Sequence, residues 1–364
     1  MTRLLAIIRR LRISKEIDIV TISSRHGHFL AELTAGHKSL TIAPTSFPIF
    51  LSIRFLATFI RLRKSVSKFS RYVLATLETT KAQVIVATDA VKELTEIAGA
   101  NDRVEVVAVM HGFYINQQGY NLREGWTSEQ ESSVTLFALG EYDRAHYRRW
   151  GNSHQQILTV GSANNCLYIK KNRARPSLGF DICIVQGSLN PFPKDEFSKA
   201  RHQNWELIAD FVNRLAIARN LSIAVALSSS SKEESIRDWF ENRLTQATFF
   251  RSSIDPFATY RAIDSSRVSV GEASTALVEG LARRNRCIAI NFSGLDILTL
   301  PVPNLVSLVN PQFKDFENKF LELSGMSDNA YWSAIKNDVG LLIETDEQHL
   351  TIEKIRRHIS LHCR

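Results

Sequence analysis

The sequence predicts an α/β protein built from two Rossmann-like domains facing across a cleft. Three observations predict it. Short apolar runs of strand length alternate with helix-length segments through both halves of the 364 residues. The alternation stops once near the midpoint, over Ser162–Gly179, where Lys170, Lys171, Arg173, Arg175 and Pro176 stand without strong periodicity. It then restarts with the apolar run FDICIVQ. The length suits two domains of ordinary size. The expected boundaries are 1–165 for the first domain, 166–178 for a linker, 179–345 for the second domain and 346–364 for a closing helix.

In the first half, Ile17–Ile22 (IDIVTI) reads as a strand, followed by the polar loop Ser23–His28 and a helix through Leu33. Ser39–Ala43 is a short strand stopped by Pro44. A basic helical region covers about Phe47–Thr80, with a break near Ser65–Ser67. Gln83–Ala87 is a strand, and Asp89 suits the cap of a helix running to about Ala98. Val104–Met110 and Thr135–Leu139 are strands, then comes a helix to Trp150 stopped by Gly151, and Gln156–Val160 is a last strand. In the second half the strands are Phe180–Gln186, Ser222–Leu227, Thr248–Phe250, Arg267–Val270, Cys287–Phe292 and Leu305–Leu308. The helices between and after them are Phe197–Arg219, Lys232–Thr245, Pro256–Ile263, Ala276–Arg284, Phe313–Leu323, Asp328–Asp338 and Glu347–His358. Strands so spaced, each followed by a helix, imply parallel sheets covered on both faces, with right-handed crossovers.

Composition narrows the class. The hydrophobic share is 44% and the charged share 23%, as in a folded protein with a large core. No apolar run reaches the roughly 18 residues of a membrane span, and Met1–Arg12 lacks a small-residue cleavage site. A cytoplasmic location is the expectation. The four cysteines are scattered, with no C-x-x-C pair and no histidine at zinc spacing, so no structural metal is expected. The net charge of +8 is concentrated. Arg54, Arg61, Arg63, Lys64, Lys68 and Arg71 alternate with Ile53, Phe55, Leu56, Phe59, Ile60 and Leu62 without an acid among them. Such a basic amphipathic segment is a core-packing helix with a solvated face, or it docks on an anionic membrane surface through Arg61, Arg63 and Lys64. Nucleic acid is the weakest partner, because no RNA-binding motif, zinc knuckle or aromatic platform accompanies the charge.

The densest chemical signal is VSVGEASTALVEGLARRNRCIAINF, from Val268 to Phe292. A strand enters Gly271, a small polar turn follows, and a helix begins. Unpaired N–H groups and the positive end of the helix dipole make such a turn a place for a phosphate. Ser274 and Thr275 add hydroxyls there, and Glu279 lies about one turn further on. The same residues also serve as an ordinary helix cap.

This segment resembles the donor half of GT-B glycosyltransferases. STALVEGLA, a basic residue and an Ile-rich strand are similar to bacterial surface-polysaccharide transferases of capsule or lipopolysaccharide type, and to the related polyol-phosphate transferases. The resemblance implies that Ser274 and Thr275 hold the phosphates of a sugar nucleotide and that Glu279 holds its ribose. Retaining members often carry two Glu separated by seven residues; Glu272 and Glu279 are separated by six. The ribose role therefore carries over to Glu279 better than any role carries to Glu272.

Three further loops at strand ends suit the same chemistry. Gly187 and Ser188, in QGSLNP, offer backbone and hydroxyl donors to a donor phosphate. His111–Gly112 ends the strand VEVVAVM and looks like a motif of capsule and teichoic-acid-type transferases; His111 suits a general base. Asn116 lies in the polar stretch that follows. Arg25–His26–Gly27–His28 resembles the glycine–histidine loop after the first strand of several GT-B enzymes, with His26 as a second base and His28 near an acceptor. No G-x-S-x-G elbow, Walker A loop, G-x-G-x-x-G or D-x-D motif is present. The expected activity is metal-independent and cofactor-free sugar transfer from a nucleotide-sugar to a surface-glycan or lipid-linked acceptor. The alternatives are transfer of a polyol phosphate from a CDP donor, and a non-catalytic binding protein on the same fold.

Overall fold

The computed structural model describes residues 17–22, 27–42, 53–62, 66–88, 92–110, 112, 134–150, 156–172, 176–187, 189–228, 232–295, 298–302, 305–345 and 350–363; the side chains at 27, 28, 53, 54, 92, 93, 149 and 150 lie outside the description. The chain divides into two units. One takes the described residues to Met110, those from Val134 to Leu167 and those from Leu350 on; the other takes Gly112 and the described residues of Tyr168–Thr345.

The sheet of the first unit contains β1 (Ile19–Ile22), β2 (Ser39–Ile42), β3 (Val84–Thr88), β4 (Glu105–Val109), β5 (Val134–Ala138) and β6 (Gln156–Thr159). Their order is β2-β1-β3-β4-β5-β6, and every neighbouring pair is parallel. The sheet of the second unit contains β7 (Phe180–Val185), β8 (Ile223–Leu227), β9 (Ala247–Arg251), β10 (Ser266–Gly271), β11 (Cys287–Asn291) and β12 (Ser307–Val309). Their order is β12-β11-β10-β7-β8-β9, again parallel throughout. The near-continuous apolar runs of the sequence have this cause: β3, β5, β8 and β11 are buried at every residue, as strands covered on both faces must be.

Helix ends follow local chemistry. Ser67 caps the helix Lys68–Thr80, its Oγ accepting from Ser70 N at 3.2 Å, and Lys81 closes that helix in the left-handed region at φ 59°. Asp195 caps the long helix Glu196–Arg219 in the same way, and Asn220 ends it at φ 52°. Most helices lie within a few residues of their expected bounds.

Two features depart from the sequence reading. The segment read as a linker begins in a helix, Ala163–Lys171. Ser162 Oγ accepts from Asn165 N at 3.1 Å, and Ala163, Cys166, Leu167 and Tyr168 are buried. Three of those four are consecutive, which masks the helical period. The closing helix runs over Thr351–His362, four residues later than expected, and it belongs to the first unit. Thr351 Oγ1 donates to Val160 O at 2.5 Å, and Arg356 Nη2 donates to Glu32 O at 2.6 Å. No helix among the described residues is long and apolar enough to cross a membrane.

Candidate functional site

In the second sheet, strands to one side of β7 lie in the sequence order 7-8-9, and to the other side in the order 10-11-12. The chain direction of assembly therefore reverses between β7 and β10. Open α/β sheets bind ligands outside the strand carboxyl ends at such a reversal. Two of the sequence-predicted donor loops meet there. Gly271, the last residue of β10, stands beside Val185, the last residue of β7. Beyond them follow Glu272–Thr275 on one side and Gln186–Gly187 on the other.

Glycine at 271 is a steric requirement. A Cβ there would lie 2.6 Å from the Val185 carbonyl oxygen, which is backbone and cannot turn aside. Gly271→Ala is expected to cost about 1–3 kcal/mol through overpacking, read as a lowered urea midpoint with an unchanged slope.

Ser274 is the cap of the helix Thr275–Ala282. Its backbone is extended (φ −146°, ψ 155°), and its Oγ accepts from Leu277 N at 3.3 Å while its carbonyl accepts from Val278 N at 3.1 Å. Ala273, Ser274, Thr275 and Ala276 are half-buried, whereas the helix from Leu277 to Leu281 is buried. The positive end of this helix thus reaches the surface at the strand ends, while its body is held inside.

Beneath the turn lies a charge pair that the sequence did not signal. Glu272 is fully buried, and its carboxylate pairs with Arg201 of the long helix, Arg201 Nε donating to Oε2 at 3.2 Å. Asn204, one turn from Arg201, donates from Nδ2 to the other oxygen at 3.0 Å and accepts from Phe292 N at 2.6 Å. A lone carboxylate there would repel an anion; paired with Arg201 it does not. Gly187 lies over the pair, since a Cβ on it would stand 3.6 Å from Glu272 Oε2 and 3.7 Å from Arg201 Nη2. Gln186 ties the β7 loop to β8: its Oε1 accepts from Ser228 N at 2.9 Å and Ser228 Oγ at 2.8 Å.

Glu279 is only 3% exposed. Its Oε2 accepts from Tyr260 OH at 2.9 Å. Tyr260 stacks on Tyr168 (centroids 5.0 Å apart, planes 20°), and the Arg283 guanidinium lies 4.8 Å over the Tyr260 ring while bonding Asp264 at 2.9 Å. Burial, and after it the Glu279 charge, pushes the Tyr260 phenol well above its usual range, so it stays a donor. Glu279 is therefore fixed by an aromatic and ionic cluster at the root of the helix rather than pointing freely outward.

The remaining predicted residues divide as follows. Ser188, His26, His111, Asn116, Arg63 and Lys64 lie outside the described residues. Gly27 and His28 open the helix Gly27–Leu33 after β1, and Gly112 is a half-buried bend just after β4. Arg61 is exposed at the end of the helix Ile53–Arg61. That helix buries Phe55, which stacks on Phe59 and meets Tyr72 edge-on, but leaves Leu56 at 49% and Ile60 at 66% exposure. It packs one face and presents both apolar and basic groups on the other. The cluster of Arg201, Asn204 and Tyr260 escaped sequence reasoning because its members are 68 to 71 residues from Glu272, or 19 from Glu279.

No family model matches the chain, and no curated protein matches it. Solved structures do. The UDP-GlcNAc 2-epimerase of Methanocaldococcus jannaschii, in complex with UDP-GlcNAc and UDP, aligns over 95% of this chain and 99% of its own, with a TM-score of 0.57 and 12% identity. The S. aureus MnaA–UDP structure aligns over 94% and 96%, with a TM-score of 0.56 and 10% identity. The wall teichoic acid polymerase TagF aligns over 96% and 89%, with a TM-score of 0.51 and 11% identity. At these identities the likeness is one of fold. Its neighbours are of GT-B type, and the two six-stranded parallel sheets are the two Rossmann-like domains of that fold.

Proposed function

We propose that the chain is a glycosyltransferase that takes its sugar from a nucleotide-sugar donor bound at the β7/β10 reversal. The observation that carries this reading is the meeting of the Gly187 loop and the Ser274-capped helix end at adjacent strand ends. The diphosphate would lie against that helix end, with Ser274, Thr275 and the Gly187–Ser188 backbone donating to it. Glu279, oriented by Tyr260, would accept from a ribose hydroxyl. Two of the fold neighbours hold UDP or a UDP-sugar, which supports a nucleotide-sugar ligand.

The acceptor, a surface glycan or lipid-linked chain, would be deprotonated by His111, with His26 as second base and His28, Gly112 and Asn116 contacting it. No step in this reading needs a metal or a cofactor, and nucleic acid has no part in it. The likeness to wall teichoic acid polymerase favours a second reading, transfer of a polyol phosphate from a CDP donor. A non-catalytic binding protein is the third.

A thermal-shift series with UDP, CMP, CDP and GDP tests the reading. A ligand at 100 times its dissociation constant stabilises the native state by about 2.7 kcal/mol. At least one of the four is expected to raise the melting temperature. A flat response to all four would favour the non-catalytic protein. Product analysis then separates the two transfers, because only the second moves phosphorus.

A place on the cytoplasmic face of the membrane fits an acceptor carried on lipid. Leu56, Ile60 and Arg61, with Arg63 and Lys64 beyond them, would dock there. Co-sedimentation with anionic vesicles is expected to fall several-fold when Arg61, Arg63 and Lys64 are replaced by glutamine. Binding that ignores those charges would remove the membrane from the proposal.

A further inference from the structure

The first unit holds a second cluster of reactive side chains, at the end of its sheet opposite the strand carboxyl ends. Glu105 is the first residue of β4, and His358 and His362 stand one turn apart on the helix Thr351–His362, so their rings share a face. One ligand atom from each lies within 4.8 Å of the others. The geometry points to a binding site for a divalent transition metal such as Zn²⁺, held by the Glu105 carboxylate, His358 Nε2 and His362 Nε2, with a fourth position open to water.

The distances suit it. Glu105 Oε1 and His358 Nε2 are 3.0 Å apart. Two ligands bonded at about 2.0–2.1 Å in a tetrahedral site stand about 3.4 Å apart. The pair therefore needs to move only slightly to admit an ion in place of the shared proton. His362 is exposed at the end of its helix and can swing to close the third side.

The surroundings already orient Glu105 and His358 and set the tautomer of His362. His362 Nδ1 lies 3.0 Å from the carbonyl of His358, and a carbonyl only accepts. Nδ1 must therefore carry the proton, which leaves the lone pair on Nε2. Thr135 Oγ1 donates to Glu105 at 2.7 Å, and Phe137 meets the His358 ring edge-on at 5.4 Å. Metal-bound imidazoles and carboxylates are oriented in this way by outer partners. A Glu–His ion pair alone would account for Glu105 and His358. His362, its ring centre 4.8 Å from that of His358, adds the third ligand that an ion pair has no use for.

The site belongs to the first unit, and the proposed donor site belongs to the second. Its ion would clip the closing helix to β4, far along the sequence from the residues that helix follows. The spacing was hidden in the sequence because Glu105 lies 253 residues before His358.

The test uses the full chain, without an affinity histidine tag and stripped with chelator. Zn²⁺ is titrated by calorimetry and Co²⁺ by visible absorption. One equivalent is expected to bind, with Co²⁺ giving the intense bands of four-coordination and hydrogen exchange slowing over residues 351–362. His362→Ala, exposed and therefore safe for the fold, and Glu105→Gln are each expected to weaken Zn²⁺ by about 100-fold or more, since even outer-partner losses cost about 10–100-fold. Circular dichroism checks that both variants are folded. Absence of Zn²⁺ binding, or binding that both folded variants retain unchanged, would overturn the site.

Discussion

Replacing Glu272 with alanine is expected to lower folding stability by about 3 kcal/mol, the low end of the range for breaking a buried ion pair. The carboxylate is fully buried, and its removal leaves Arg201, whose side chain is 17% exposed, without its counter-charge. Partial access to water at Arg201 is the reason for the low end. Asn204 loses its acceptor as well, while still bonded to Phe292 N. Glu272→Gln, which keeps the shape and the Asn204 bond, is expected to cost less. The double variant Glu272→Gln, Arg201→Met is expected to recover part of the loss, because it removes the orphaned charge. Urea denaturation measures all three. A loss under about 1 kcal/mol for Glu272→Ala would mean that Arg201 finds water or another acceptor without penalty.

His111→Ala is expected to lower turnover by about 10²- to 10⁴-fold, the usual contribution of a positioned general base. Nucleotide affinity is expected to stay near that of the parent, because His111 enters the proposal on the acceptor side. The base works as neutral imidazole. The rate in the parent should therefore rise with pH as the imidazole loses its proton. That limb should vanish in the variant. A folded His111→Ala with unchanged turnover would remove His111 from the mechanism and pass the role to His26.

Much of the fold was legible because its strands are buried on both faces. Runs such as QVIVA and FDICIVQ have no polar alternation, which is how strands of a covered parallel sheet read. The helix Ala163–Lys171 was not legible. Its buried residues Cys166, Leu167 and Tyr168 are adjacent in sequence, and its stability comes from contacts such as Tyr168 on Tyr260 rather than from a periodic face. At the site, Gly187 and Ser274 were readable as loops because glycine and a capping serine after a strand are local signals. Glu272 was passed over because its meaning lies in Arg201 and Asn204, on another helix. Glu279 was readable as a carboxylate one turn into a helix, but not as the partner of Tyr260. A buried charge is specified by what surrounds it, and the chain brings those groups from a distance.

The proposed donor site needs an anion-binding turn at the β7/β10 reversal, and Ser274→Asp tests for it most directly. Aspartate caps a helix as well as serine does, so Leu277 N keeps an acceptor and the fold keeps its stability. The same substitution places a negative charge where the diphosphate would sit. Calorimetric titration with the tightest-binding of UDP, CMP, CDP and GDP should show the affinity of the variant reduced by about 100-fold or more, at an unchanged melting temperature of the free protein. Equal affinity in the parent and the variant would place the nucleotide elsewhere and contradict the account.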